Sequence, residues 1–170
     1  MIWKKRNKQK TIVFENSDFS WKYSVNTFFS NLIFTFHKPL IIECYNLISE
    51  NPDNHLISQK ADLVLVLGSS YYYYYSNFNE TMEGDFYQFM NCFDIVKMNF
   101  SSSSFNNHCM TSLEFRRFVK RKNLSYFSEI FVYLDNDHQY ISFRYNQLQR
   151  VEPFLEKVRA TRHLIETRHW

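Results

Sequence analysis

The chain has 170 residues of which 45% are apolar, enough for one domain to bury a sizeable core. Its formal net charge of +3 permits a polyanionic partner without requiring one. Cys44, Cys92 and Cys109 include no Cys-x-x-Cys and no histidine stands at zinc-finger spacing, which excludes a disulfide framework and a structural zinc site. No run approaches the roughly 18 apolar residues of a membrane-spanning helix.

The first ten residues hold Lys4, Lys5, Arg6, Lys8 and Lys10. Behind them Glu15 and Asp18 interrupt the stretch where a signal peptide needs an unbroken apolar core. The expectation is a soluble cytoplasmic protein in a reducing compartment, folded as one domain over 1–170 with 1–10 as a flexible basic arm. With 18 Phe and 12 Tyr against 2 Gly, the core must be built from large flat side chains.

In chain order, 11–15 (TIVFE), 20–29 (SWKYSVNTFF) and 31–36 (LIFTFH) are rich in β-branched and aromatic residues and predict strands. Pro39 suits a first helical turn, and Leu40, Ile41, Cys44, Leu47 and Ile48 recur at helical spacing, so a helix is expected over 39–50. ADLVLVLG at 61–68 is continuously apolar, as in a strand buried on both faces. With Ser69 and Ser70 it resembles a ten-residue stretch of sirtuin-type folds, whose glycine-rich cofactor loop and catalytic histidine segment have no counterpart here. It reads as a buried strand.

Tyr71 to Tyr75 form a pentatyrosine run. Aromatic faces stack bases with little sequence preference, but alternate rings of an extended segment face opposite sides, so the structural reading of this run is preferred. Asn79 is placed to cap a helix carrying Met82, Phe86, Phe89, Met90 and Phe93. FDIVKMNF then predicts a strand, and 101–107 a loop. Residues 61–110 contain one cation, Lys97, against five carboxylates, so an acidic middle lies between basic flanks.

Thr111 and Glu114 have the spacing of a capping box. In the helix that follows, Phe115, Phe118 and Val119 share one face while Arg116, Arg117, Lys120 and Arg121 share the opposing arc, with Leu113 alone breaking the pattern. Such a cationic arc repels itself unless carboxylates or a partner neutralise it.

Residues 128–145 predict a hairpin. Ile130, Val132 and Leu134 alternate on one strand, Ile141, Phe143 and Tyr145 on the other, and Asp135, Asn136 and Asp137 make the turn. The hairpin's second face carries Phe131, Tyr133, Tyr140 and Arg144. A final helix is expected over 152–167, opened by Pro153, with Phe154, Leu155, Val158, Arg162 and Ile165 on one stripe.

No Walker loop, Gly-x-Ser-x-Gly, His-Glu-x-x-His or EF-hand pattern occurs, and no catalytic residue, metal ligand or cofactor is assigned. His108 and Cys109 are adjacent, and neighbouring side chains usually point apart while catalytic partners are typically distant in sequence, which favours a core thiol. YLDND at 133–137 resembles the Asp-x-Asp metal site of some glycosyltransferases, and is equally an ordinary hairpin turn.

The expected fold class is α+β, a mixed or antiparallel sheet with the hairpin at its heart and about four flanking helices. Three functions are ranked. First comes a protein-binding module, in its narrower form an inhibitor of the toxin-immunity kind that covers a partner's surface. Second is a nucleic-acid-binding protein with phosphates on Arg116, Arg117, Lys120 and Arg121. Third is a metal-dependent enzyme using Asp135 and Asp137. The binding residues expected are that cationic arc together with Tyr133, Tyr140 and Arg144.

Overall fold

A computed structural model describes residues 9–17, 20–36, 39–48, 51–78, 86–100, 111–121, 124, 128–135, 137 and 139–169, apart from the side chains at 34, 121, 168 and 169. Among the described residues there are eight strands: β1 (Lys10–Asn16), β2 (Leu40–Leu47), β3 (Leu63–Leu67), β4 (Ser70–Tyr75), β5 (Phe93–Phe100), β6 (Ile130–Asp135), β7 (Tyr140–Tyr145) and β8 (Leu164–His169). They form one sheet in the order β3-β4-β2-β5-β6-β7-β1-β8. Every neighbouring pair is antiparallel. Helices α1 (Trp21–Thr35), α2 (Leu56–Gln59), α3 (Phe86–Met90), α4 (Ser112–Arg121) and α5 (Leu148–Ala160) complete an α+β fold.

Strand register lines up one apolar row across the sheet, Tyr73, Ile42, Met98, Val132, Phe143 and Ile12. Helices α1, α3 and α5 bury this inner face. Ring packing fills the space that glycine-poor, phenylalanine-rich composition demands: Phe29 stacks on Phe86 at 3.8 Å, and Phe28 meets Phe154 edge-on at 5.2 Å. The predicted hairpin is β6 and β7, central in the sheet with Ile130, Val132, Leu134, Ile141, Phe143 and Tyr145 inward.

Four expectations are corrected. Residues 20–36 are not strands: Trp21, Val25, Phe28, Phe29, Leu32 and Ile33 are buried at spacings of three and four along helix α1. That helical period outweighs the β-prone composition, because a buried stripe contributes more than intrinsic propensity. Residues 40–47 are strand β2 and not a helix. Flanked by β4 and β5 and covered on both faces, β2 is apolar at consecutive positions Leu40, Ile41 and Ile42, which mimics a helical pattern over a short window.

Residues 63–67 are a strand, but an edge strand with Val64 and Val66 half exposed rather than one buried on both faces. Gly68, at a φ of +62°, turns β3 into antiparallel β4, so Gly68 and Ser69 close a hairpin after the apolar run. The last helix is α5, which starts before Pro153 and ends at Ala160. The chain then reverses through Arg162, at a φ of +56°, so that β8 can pair with β1. The predicted stripe therefore holds only for Phe154, Leu155 and Val158, and Ile165 is exposed.

The start of the predicted helix after Asn79, the loop at 101–107, the 1–8 part of the basic arm, His108, Cys109 and Asn136 lie outside the described residues.

Candidate functional site

The sheet's outer face divides into two halves. Over β3, β4 and β2, helix α4 lays Phe115 and Val119, with Leu124, against Ile41 and Tyr74, bordered by Leu63, Leu65 and Leu67. The capping box that starts α4 forms as its spacing predicts: the Thr111 backbone N–H donates to Glu114 Oε2 at 2.9 Å, and the Glu114 N–H donates to Thr111 Oγ1 at 3.3 Å. The Thr111 N–H, and the Thr111 hydroxyl donating to the same Oε2 at 2.8 Å, hold the Glu114 carboxyl below its ordinary pKa, with Arg117 adding a smaller pull.

With its apolar face down, α4 leaves Arg116, Arg117 and Lys120 exposed. Arg121 belongs to the same helix, its side chain outside the described residues. Among the described residues no carboxylate lies within ion-pairing distance of Arg116, Arg117 or Lys120. Of the acidic middle, Asp62 is engaged elsewhere, accepting from the Ser76 backbone N–H at 2.6 Å and its hydroxyl at 2.7 Å. Glu80, Glu83 and Asp85 lie outside the described residues.

Over β5, β6, β7 and β1, no helix among the described residues covers the outer face. Its side chains, including Tyr45 of β2 at the border, Lys97, Phe131, Tyr133, Tyr140 and Arg144, are half buried. Pairing sets Arg144 opposite Phe131, with the guanidinium carbon 4.5 Å from the ring centroid. Lys97 Nζ stands 4.4 Å over the Tyr45 ring. Tyr133 and Tyr140, diagonal neighbours on β6 and β7, stack at 5.9 Å and 25°. Burial, then the neighbouring Tyr140 and Asp135, push the Tyr133 phenol above its ordinary pKa.

Thus Tyr133, Tyr140 and Arg144 lie together on one uncovered half-face, and the cations of α4 belong to the same side of the sheet over its other half. At the junction stands a polar cluster that sequence reading missed. Glu43, 8% exposed, accepts from Asn99 Nδ2 at 2.6 Å and from the Tyr45 hydroxyl at 2.6 Å. Asn99 Oδ1 accepts in turn from Ser128 Oγ at 3.0 Å. Burial and these Glu43 contacts raise the Tyr45 phenol pKa. The partners come from β2, β5 and the segment before β6, so no local pattern marks them.

A second pair was equally invisible in sequence. Cys92 Sγ lies 3.3 Å from His55 Nε2, with both residues buried. Cys44 is also buried as a free thiol, its pKa raised chiefly by that burial. Among the described residues no cluster of three or more His, Cys, Asp or Glu is arranged to hold a metal ion, and no helix is long and apolar enough to cross a membrane. Tyr73, Tyr74 and Tyr75 are buried, so the pentatyrosine run offers no continuous stacking platform.

No protein-family model matches the chain, and neither a curated protein nor a solved structure does.

Proposed function

We propose that the chain is a protein-binding module whose uncovered outer half-face, with the α4 arc beside it, docks on an acidic protein surface. The observation that carries the reading is that both cations of the half-face, Lys97 and Arg144, already cover aromatic rings, while among the described residues Arg116, Arg117 and Lys120 of α4 have no carboxylate within ion-pairing distance. Arg144 covers Phe131 and Lys97 covers Tyr45, and Tyr133 and Tyr140 lie on one another. Rings so occupied present few open faces for stacked bases. They suit the desolvated centre of a protein interface, where Tyr and Arg dominate the energy. Arg116, Arg117 and Lys120 then act at the rim, where complementary charge speeds association.

The toxin-inhibitor form of this reading makes the partner a toxin with an acidic surface around its active site. Nucleic-acid binding remains the second reading, favoured by the exposed cations of α4, with phosphates as their counter-charges.

Affinity capture from the source cell, with and without nuclease and at low and high salt, separates the two when run with variants. A specific protein should survive nuclease and salt, and Tyr133→Ala combined with Tyr140→Ala should weaken its binding by about 30-fold or more, the scale of one to two hot-spot residues. Charge reversal at Arg116 and Lys120 should instead slow association, by about tenfold at low salt. Heterogeneous nucleic acid released by salt, retained by the tyrosine variant and lost on charge reversal, would overturn the protein reading.

A further inference from the structure

On the opposite, helix-covered side of the sheet, where α1 ends and α5 begins, lies a cavity of about 480 Å³. That volume is within the range of small-ligand sites. Phe36, Ile130 and Val151 give it an apolar wall, and Glu129 and Arg150 bring opposite charges to it. The two charged groups are 3.6 Å apart, with the Arg150 side chain 64% exposed and that of Glu129 21% exposed. A pair so exposed on one side opens readily, so the guanidinium can turn to a ligand while the carboxylate keeps its place in the wall.

Asn146 and Gln147 line the same cavity beside the charged pair. The helix ends add polarity of both signs. At the start of α5, Gln147 makes no side-chain capping bond and the first turn has no acidic residue. At the end of α1, the last turn has no basic residue. Neither dipole end is compensated by a charge of its own helix.

A simple anion in this cavity would face Glu129, and a simple cation would face Arg150. A molecule carrying both charges on one centre, with an apolar substituent, meets neither conflict. We infer that the cavity binds a free α-amino acid with an apolar side chain, its ammonium toward Glu129 and its carboxylate toward Arg150 and the start of α5. The side chain lies along Phe36, Ile130 and Val151. This site is independent of the docking half-face, which lies across the sheet.

Calorimetric titration of the full chain tests it with L-phenylalanine and L-leucine, beside 3-phenylpropionate and 2-phenylethylamine, which each lack one charge. Saturable binding of at least one amino acid at one site per chain is expected, with each single-charge analogue weaker by about tenfold or more. Glu129→Gln and Arg150→Gln should each weaken amino-acid binding by a similar factor, and Tyr133→Ala should leave it unchanged. The inference is overturned if neither amino acid binds, if the analogues bind equally well, or if binding survives both substitutions. Should Glu129→Gln fail to fold, Arg150→Gln decides alone, since that side chain is mostly in solvent.

Discussion

Tyr75 illustrates how one residue of a repetitive run acquires its own role. Its hydroxyl donates to the Ile57 carbonyl at 2.6 Å inside the core, whereas Tyr72 and Tyr74 face the other side beneath α4. Replacing Tyr75 by Phe keeps the ring and strands the buried carbonyl, a loss of about 1–3 kcal/mol. Urea unfolding should show it as a lower midpoint at unchanged slope. Alternation along the run was readable from the chain, because successive strand side chains must oppose each other. Which phenol meets which carbonyl was not, since Ile57 and Tyr75 meet only when α2 packs on the inner face.

Helix α4 is the element most completely legible in sequence. Capping box, apolar face, the exposed cations Arg116, Arg117 and Lys120, and the outlying Leu113, which is 57% exposed, all stand where spacing puts them. Its cap should titrate. The Glu114 pKa is lowered from an ordinary 4.5, so its contribution is fully present above that value and is lost as pH falls through the folded-state pKa. The stability difference between the parent and Glu114→Ala, followed by circular dichroism, should therefore shrink on acidification below the ordinary value. A difference that stays constant across that window would mean the carboxylate charge plays no part in the cap. Helix α1 is the contrasting case, where composition favoured strands and the buried stripe from Trp21 to Ile33 decided for helix.

Across the whole molecule, aromatic packing gives the fold a characteristic alkaline limit. Tyr45, Tyr73, Tyr75 and Tyr133 all have phenol pKa values raised above the ordinary 10, chiefly because burial disfavours the phenolate. Since the folded-state values are raised, the stabilisation is complete below the unfolded pKa and is lost as pH rises toward the folded ones. Ultraviolet titration should show these phenols ionising together with loss of the helical signal, later than the exposed tyrosines. Ionisation of all twelve tyrosines near their ordinary pKa, with secondary structure intact, would contradict the burial of this core.

Local pattern determined the α+β class, the central hairpin at 130–145, the strand at 93–100 and the two-faced helix at 112–121, because each has a clean period of 2 or 3.6 or a recognisable cap. Tertiary structure alone decided the rest. Strand β2 is a strand because both its faces are covered, a fact about its neighbours and not about its own residues. Glu43 with Asn99, His55 with Cys92, and Glu129 with Arg150 are brought together from distant segments by strand order and helix packing. The candidate half-face shows the same division: alternation placed Phe131, Tyr133, Tyr140 and Arg144 on one surface, and only the choice of where α4 packs left that surface uncovered by a helix among the described residues.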